Sequence, residues 1–253
     1  MEAFSLAMLL ALAALAAYVQ TLTGFALGLI FMGGVGLTGI IGLPEAAILV
    51  SCLTLVNAIL VLAKGWRDIA IREFVPTIVS SIATLFAGYW LLGLMATTSI
   101  DWLKLVLGGV IIVSSLQLAM KPVQLAQPSS TPSFFAYGAI AGLMGGLFST
   151  SGPPLVYHLY RQPLHPVVIR ETLVAVFAVN AAIRLGIVAM SGDMPHDSFW
   201  WGLLAVPVVI AFTVAAKRWP PPISHLAMRR LAFLLLFASG LSLAIPAACD
   251  LFL

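Results

Sequence analysis

The chain has 253 residues, of which 62% are hydrophobic and 8% charged, with a mean hydropathy of +1.11. Soluble domains carry about 25% charged residues, so this is an integral membrane protein. With about 20 apolar residues needed per crossing, no soluble catalytic domain fits beside its membrane segments. The formal charge of +3 and the twelve Lys and Arg residues sit mostly in short connectors, where they act as topology signals and argue against nucleic-acid binding.

In chain order, residues 4–43 form a long apolar segment divided by a polar break at Gln20, Thr21, Thr23 and Gly24. Its start, residues 9–17, has the apolar core and Ala-x-Ala end of a signal peptide. It lacks the basic n-region, Glu2 being acidic, and therefore reads as mature membrane helix. Plain spans are expected at 46–63, 74–95 and 102–120. Residues 121–133, rich in Pro, Ser and Gln, read as a flexible join. Residues 134–160 form a second long apolar segment, broken at Ser149, Thr150, Ser151, Gly152, Pro153 and Pro154. Further spans are expected at 172–190, 199–216 and 231–248. The chain divides into a first repeat (1–120), a linker (121–133) and a second repeat (134–253).

Short loops rich in Lys and Arg stay on the cytoplasmic side. Lys64, Arg67 and Arg72 mark one inner loop, Lys217, Arg218, Arg229 and Arg230 a second, and Arg161 and Arg170 a third. The loop with Asp193, His196 and Asp197 has neither Lys nor Arg and is placed outside. Counting crossings from these anchors, with Lys121 inside, makes each broken segment return to its own side as a hairpin of two short helices. A hairpin plus three spans crosses an odd number of times, so the second half is inserted upside down. The expected fold is all-α, with two inverted repeats of a broken hairpin and three transmembrane helices. Eight plain spans in parallel repeats are the alternative. Asn57 and Asn180, Pro76 and Pro207, and the LQLA and LSLA runs at 116–119 and 241–244 match between the halves in order and spacing.

The run GAIAGLMGGLFSTSGPPLVYHLY from Gly138, the run TGFALGLIF from Thr23 and the two-copy layout resemble the TauE/SafE family of membrane transporters over nearly the whole chain. The Gly-rich run ending in Ser-Gly-Pro-Pro is the most specific part. The first copy departs from the pattern, with Ala26 in place of another Gly and no Pro soon after. The resemblance implies export of sulfite, sulfoacetate and related sulfonates across the bacterial inner membrane.

Hairpin tips inside a membrane expose backbone groups that lipid cannot satisfy, so they must line a protein-enclosed or watery cavity. The second helix of each hairpin begins at its tip, and helix N-termini favour anions. In the second tip Ser149, Thr150 and Ser151 supply hydroxyls. Pro153 and Pro154 suit a first helical turn but remove two N–H donors, which makes Ser151 and Gly152 the preferred contacts. Gln20, Thr21, Thr23 and Gly24 would form the opposite tip. Close helix packing by small residues is the competing explanation for both breaks. Arg184 lies well inside the span at 172–190, where a charge costs about 2.5–3.5 kcal/mol. It is expected to meet an anionic substrate, to snorkel to the outer surface, or to pair with an acid such as Glu171. Asn57 and Asn180 need hydrogen-bond partners in apolar helices and serve either the tips or the substrate. His158 is a proton-coupling candidate if transport is proton-linked.

An intramembrane enzyme would need HExxH, paired Asp residues or a Ser with a base, and the sequence has none of these sets. Cys52 and Cys249 lie far apart and form no CxxC, so neither a metal site nor a disulfide framework is implied. No cofactor, metal or nucleic-acid partner is expected; the partners are the lipid bilayer and a small anionic substrate. A homo-oligomer is compatible with the sequence. The alternative classes are a non-transporting membrane assembly subunit and a transporter of another small organic anion.

Overall fold

The computed structural model describes residues 3–119, 124–192, 200, 202–219 and 225–252, and these residues contain helices, turns and bends with no strand. Helix α1, Ala3–Thr23, is built from Ala and Leu, which favour helix, and stops where Gly24 takes a φ of 86°. Helix α2, Leu27–Thr38, ends on Gly39 in the left-handed region, whose N–H returns to the Val35 carbonyl. Helix α3, Leu43–Gly65, has Pro44 and Glu45 in its first turn and Lys64 in its last, as the helix dipole favours. A 3₁₀ turn at Trp66–Asp68 leads to α4, Ile71–Thr98, and α5, Ile100–Ala119.

The second half runs through α6, Thr131–Phe148, α7, Pro153–Tyr160, and α8, Pro166–Ser191. It ends with α9, Ala205–Arg218, and α10, His225–Phe252. Glu2, Lys121, Asp193, His196 and Asp197, which anchor part of the expected topology, lie outside the described residues. The helix expected at 199–216 is described as α9 from Ala205 onward, and α6 begins at Thr131, inside the stretch read as linker. Part of that stretch is held in place: Leu125 N–H donates to the Arg161 carbonyl at 2.7 Å and Ser129 N–H to Gln162 Oε1 at 2.9 Å.

Each broken segment pairs a long helix with a short one, whereas the sequence led us to expect two short helices. Helices α1 and α6 are, with α3, α4, α5 and α8, long and apolar enough to cross a membrane. Helix α2, with 12 residues, and α7, with 8, rise about 18 and about 12 Å, short of the roughly 30 Å hydrocarbon core.

Packing relates the two halves by an exchange of partners. Helix α4 packs against α6 as α9 packs against α1, and α2 meets α10 as α7 meets α5. Helices α3 and α8, which carry the matched asparagines, pack directly on each other, as do α5 and α10. Both of these central pairs run in opposite directions. On α3 and α8, Gly65 faces Glu171 while Ile48 and Arg184 share a cavity. On α5 and α10, Trp102 meets the Phe252 ring at 5.8 Å and Gly108 faces Ala244 and Gly240. Helices α4 and α6 run in the same direction through a glycine stripe. A Cβ at Gly138, Gly142 or Gly146 would come within 2.3 Å of the Thr77, Ser81 or Leu85 carbonyl. Only the absence of side chains allows that backbone approach, the usual way membrane helices associate where apolar burial gives no driving force.

Candidate functional site

The two breaks meet inside the bundle. A Cβ on Gly28, in the first turn of α2, would lie 2.8 Å from Thr150 Cβ and 3.4 Å from the Ser149 carbonyl. The Ser149 and Ser51 hydroxyls are hydrogen-bonded at 2.5 Å, tying the second tip to the first half of α3. Ser51, Thr150, Ser151, Gln20 and Thr21 are all buried. The result is a hydroxyl-lined seam inside an apolar bundle.

Both asparagines hold a tip to a neighbouring helix, and they do so in parallel fashion. Asn57 Nδ2 donates to Thr21 Oγ1 at 2.9 Å and to Thr213 Oγ1 of α9 at 2.8 Å. Asn180 Nδ2 donates to Ser151 Oγ at 2.8 Å and to Ser81 Oγ of α4 at 2.7 Å. Helix α9 occupies in one half the place that α4 occupies in the other. Ser81, Thr213 and Ser51 escaped the sequence reading. Ser81 and Thr213 each follow shortly after a matched proline, Pro76 or Pro207, which was the available signal.

The tips are built differently. In the first, Leu27 N–H donates to Gln20 Oε1 at 2.9 Å, so the Gln20 carbonyl caps α2. Thr21 and Thr23 donate to the Ala17 and Val19 carbonyls of their own helix. Gly24 rests on the Arg170 backbone and side-chain stem, and the Tyr160 hydroxyl donates to the Thr23 carbonyl at 3.1 Å. In the second, Ser149 closes α6 with a φ of 56°, a left-handed conformation rare outside glycine. Gly152 has φ 73° and ψ 155°, a region essentially reserved for glycine, and a Cβ there would strike Met144 Sδ at 2.3 Å.

Arg184 is only 1% exposed, so it does not snorkel. Glu171 is paired instead with its neighbour Arg170, at 2.6 Å. Arg184 Nε donates to the Gly146 carbonyl at 3.1 Å, just before the second tip, and the guanidinium lies 5.6 Å from the Tyr89 ring centroid. Its Nη1 and Nη2 are buried without a hydrogen-bond partner. Arg184 borders a cavity of about 270 Å³ that Pro44, Ile48, Tyr89, Leu92 and Thr97 also line. The cavity lies at the end of α3 and α4 away from the connector with Lys64, Arg67 and Arg72. His158 sits elsewhere: it stacks on Tyr137 at 4.1 Å, meets the Phe134 ring edge and bonds Ser133 at 3.0 Å, fastening α7 to the start of α6.

Helix breaks held inside a membrane bundle, lined by hydroxyls and one incompletely satisfied cation, belong to the architecture of secondary transporters. The family model described as "Sulfite exporter TauE/SafE" matches residues 9–243. The chain belongs to this family, and it is a multi-pass inner-membrane transporter and not an enzyme. It is 37% identical over 230 residues to a probable sulfite/organosulfonate exporter TauE of Cupriavidus necator, covering 91% of this chain and 90% of that protein. It is also 34% identical over 110 residues to a probable inner membrane transporter protein TsaS of Comamonas testosteroni, covering 43% and 46%.

Proposed function

We propose that this protein exports a small sulfur-containing oxyanion, sulfite or an organosulfonate, by alternating access around the two tips. The observation that carries this reading is Arg184, whose two terminal nitrogens stand buried and unpartnered at a cavity wall. A buried cation left this way is costly, and an oxyanion accepting two parallel N–H bonds would satisfy it with the geometry guanidinium groups favour. The Ser149 and Ser151 hydroxyls lie on the tip that begins three residues after Gly146, whose carbonyl holds Arg184 in place. The names of the relatives supply the substrate class. With no ATP-binding motif, the drive is the substrate gradient, an ion gradient or the membrane potential, which favours loss of anions from a negative-inside cell.

The same reading takes the two halves as inverted repeats. The antiparallel packing of α3 on α8 and of α5 on α10 supports it, since these are counterpart helices and a parallel repeat would run each pair in one direction. Thiol labelling from each side of single cysteines at Ser130 and Gly192, with Cys52 and Cys249 replaced by Ser, tests it. Ser130→Cys is expected to label only from inside and Gly192→Cys only from outside; labelling of both from one side rejects the inversion.

Transport itself is tested by uptake of radiolabelled sulfite and a small sulfonate panel into liposomes holding the purified protein. Wild type is expected to carry at least one member, and Ser151→Leu to carry none. Absence of wild-type flux for the whole panel would overturn the substrate assignment.

A further inference from the structure

At the opposite end of α8 from Arg184 lies a second incompletely satisfied charge. Glu171 is 2% exposed, and Arg170 reaches only one of its oxygens, with Nη2 at 2.6 Å and Nε at 3.2 Å from Oε1. Its Oε2 is buried and has no hydrogen-bond partner. The carboxylate fits where it does because residue 65 has no side chain: a Cβ there would lie 2.5 Å from both Cδ and Oε2 of Glu171. Two more cations lie at this end of α3: Lys64 is in its last turn, beside Gly65, and Lys217 Nζ donates to the Leu60 and Val61 carbonyls at 2.7 and 3.3 Å. Arg170 is also the floor of the first tip, in contact with Gly24.

We propose that Arg170, with Lys64 and Lys217 near it, forms an inner anion-binding site whose place is held in this state by the Glu171 carboxylate. A carboxylate and a small oxyanion offer a guanidinium the same chemistry, negative oxygens accepting N–H bonds, so they compete for Arg170. An oxyanion arriving from the connector side displaces Glu171, takes Arg170 and loosens the contact that closes the first tip. Arg170 and Arg184 are then two stations on one helix, about 21 Å apart at 1.5 Å per residue. The inference rests on the reading that the chain carries an oxyanion, and its test separates the two.

The decisive readout is the rate at which a membrane-impermeant thiol reagent labels Thr23→Cys from the inner side, with Cys52 and Cys249 replaced by Ser. Glu171→Gln is expected to raise that rate several-fold. Excess methanesulfonate or sulfate should slow it again, and should fail to do so once Arg170→Gln is added. Gly65→Ala, which displaces the carboxylate sterically while leaving Arg170 intact, is expected to act like Glu171→Gln and guards against a variant that does not fold. Unchanged labelling in both variants, or faster labelling with no protection by either anion, overturns the site. Sulfite flux in the wild type, measured in parallel, reports on the transport reading alone.

Discussion

The two halves use the same asparagine clamp on tips of different chemistry. Asn57 binds Thr21 to Thr213 and Asn180 binds Ser151 to Ser81, but the cation beside the second clamp, Arg184, is on the asparagine's own helix and has two unpartnered nitrogens, whereas Lys217, beside the first, comes from α9 and is held by the Leu60 and Val61 carbonyls. The position corresponding to Arg184, four residues after the asparagine, is Val61 in the first half, and Val61 packs with Ala58 and Val174. The first tip is closed by Gln20 capping α2 and by Tyr160 and Arg170 beneath it. The second depends on Ser149 and Gly152 in unusual backbone conformations and ends in two prolines that have no N–H. The shared clamp is where the halves agree; an unusual backbone at Ser149 and Gly152 and one buried guanidinium are where they differ.

That contrast can be broken from its most expensive element downward. Gly152→Ala is expected to cost about 3 kcal/mol from the forbidden backbone region alone, with the Met144 clash in addition, and to show as a large drop in melting temperature in detergent. Gly24→Ala, also at positive φ but with the flexible stem of Arg170 as its nearest neighbour at 3.0 Å, is expected to cost less. Equal losses would deny that the second tip is the more constrained. Asn180→Ala removes the amide joining Ser81 to Ser151 and is expected to cost up to about 1.7 kcal/mol, the upper range for hydrogen bonds between membrane helices. Asn57→Ala should cost less, because Asn57 Oδ1 already lacks a partner; denaturation of the two variants side by side checks the order. Ser51→Ala should cost about 0.6 kcal/mol, with its effect visible chiefly as weaker substrate binding if the Ser51–Ser149 pair lines the site.

Much of this was legible in the sequence because membrane proteins must obey a few rules strictly. Four of the six plain spans, those found as α3, α4, α5 and α8, the two polar breaks and the matched asparagines follow from hydropathy and from residues that apolar helices tolerate only with partners; the described part of α9, with 14 residues, and the apolar part of α10, Phe237–Phe252, are shorter than a crossing. The partners were harder to read. Ser51, Ser81 and Thr213 are indistinguishable by type from Ser80 or Thr84, and Ser and Thr on apolar helices routinely satisfy themselves on the carbonyl four residues back, as Ser51 does on Ala47. Glu171 enters the sequence reading as a pairing partner for Arg184; its burial comes from Gly65 and the turn after it folding over that end of α8, a contact between segments far apart in the chain. Arg184 was recognisable as a buried charge, but not its hold on Gly146 or its place over Tyr89, which depend on the glycine stripe bringing α6 against α4. His158 had the right chemistry for proton transfer, and the structure gives it a stacked, hydrogen-bonded place at the hairpin base.

The most direct test of the account measures two properties of Arg184→Met together: melting temperature in detergent and flux of the transported anion into liposomes. Replacing an incompletely paired buried charge by an apolar side chain of similar volume is often neutral or stabilising. Loss of charge-assisted hydrogen bonds to the substrate should remove about 3 kcal/mol of binding, roughly 100-fold. The account predicts a melting temperature equal to or above that of wild type, with flux reduced by about that factor at low substrate. Wild-type flux in Arg184→Met, or a loss of stability that accounts for the loss of flux, would contradict it.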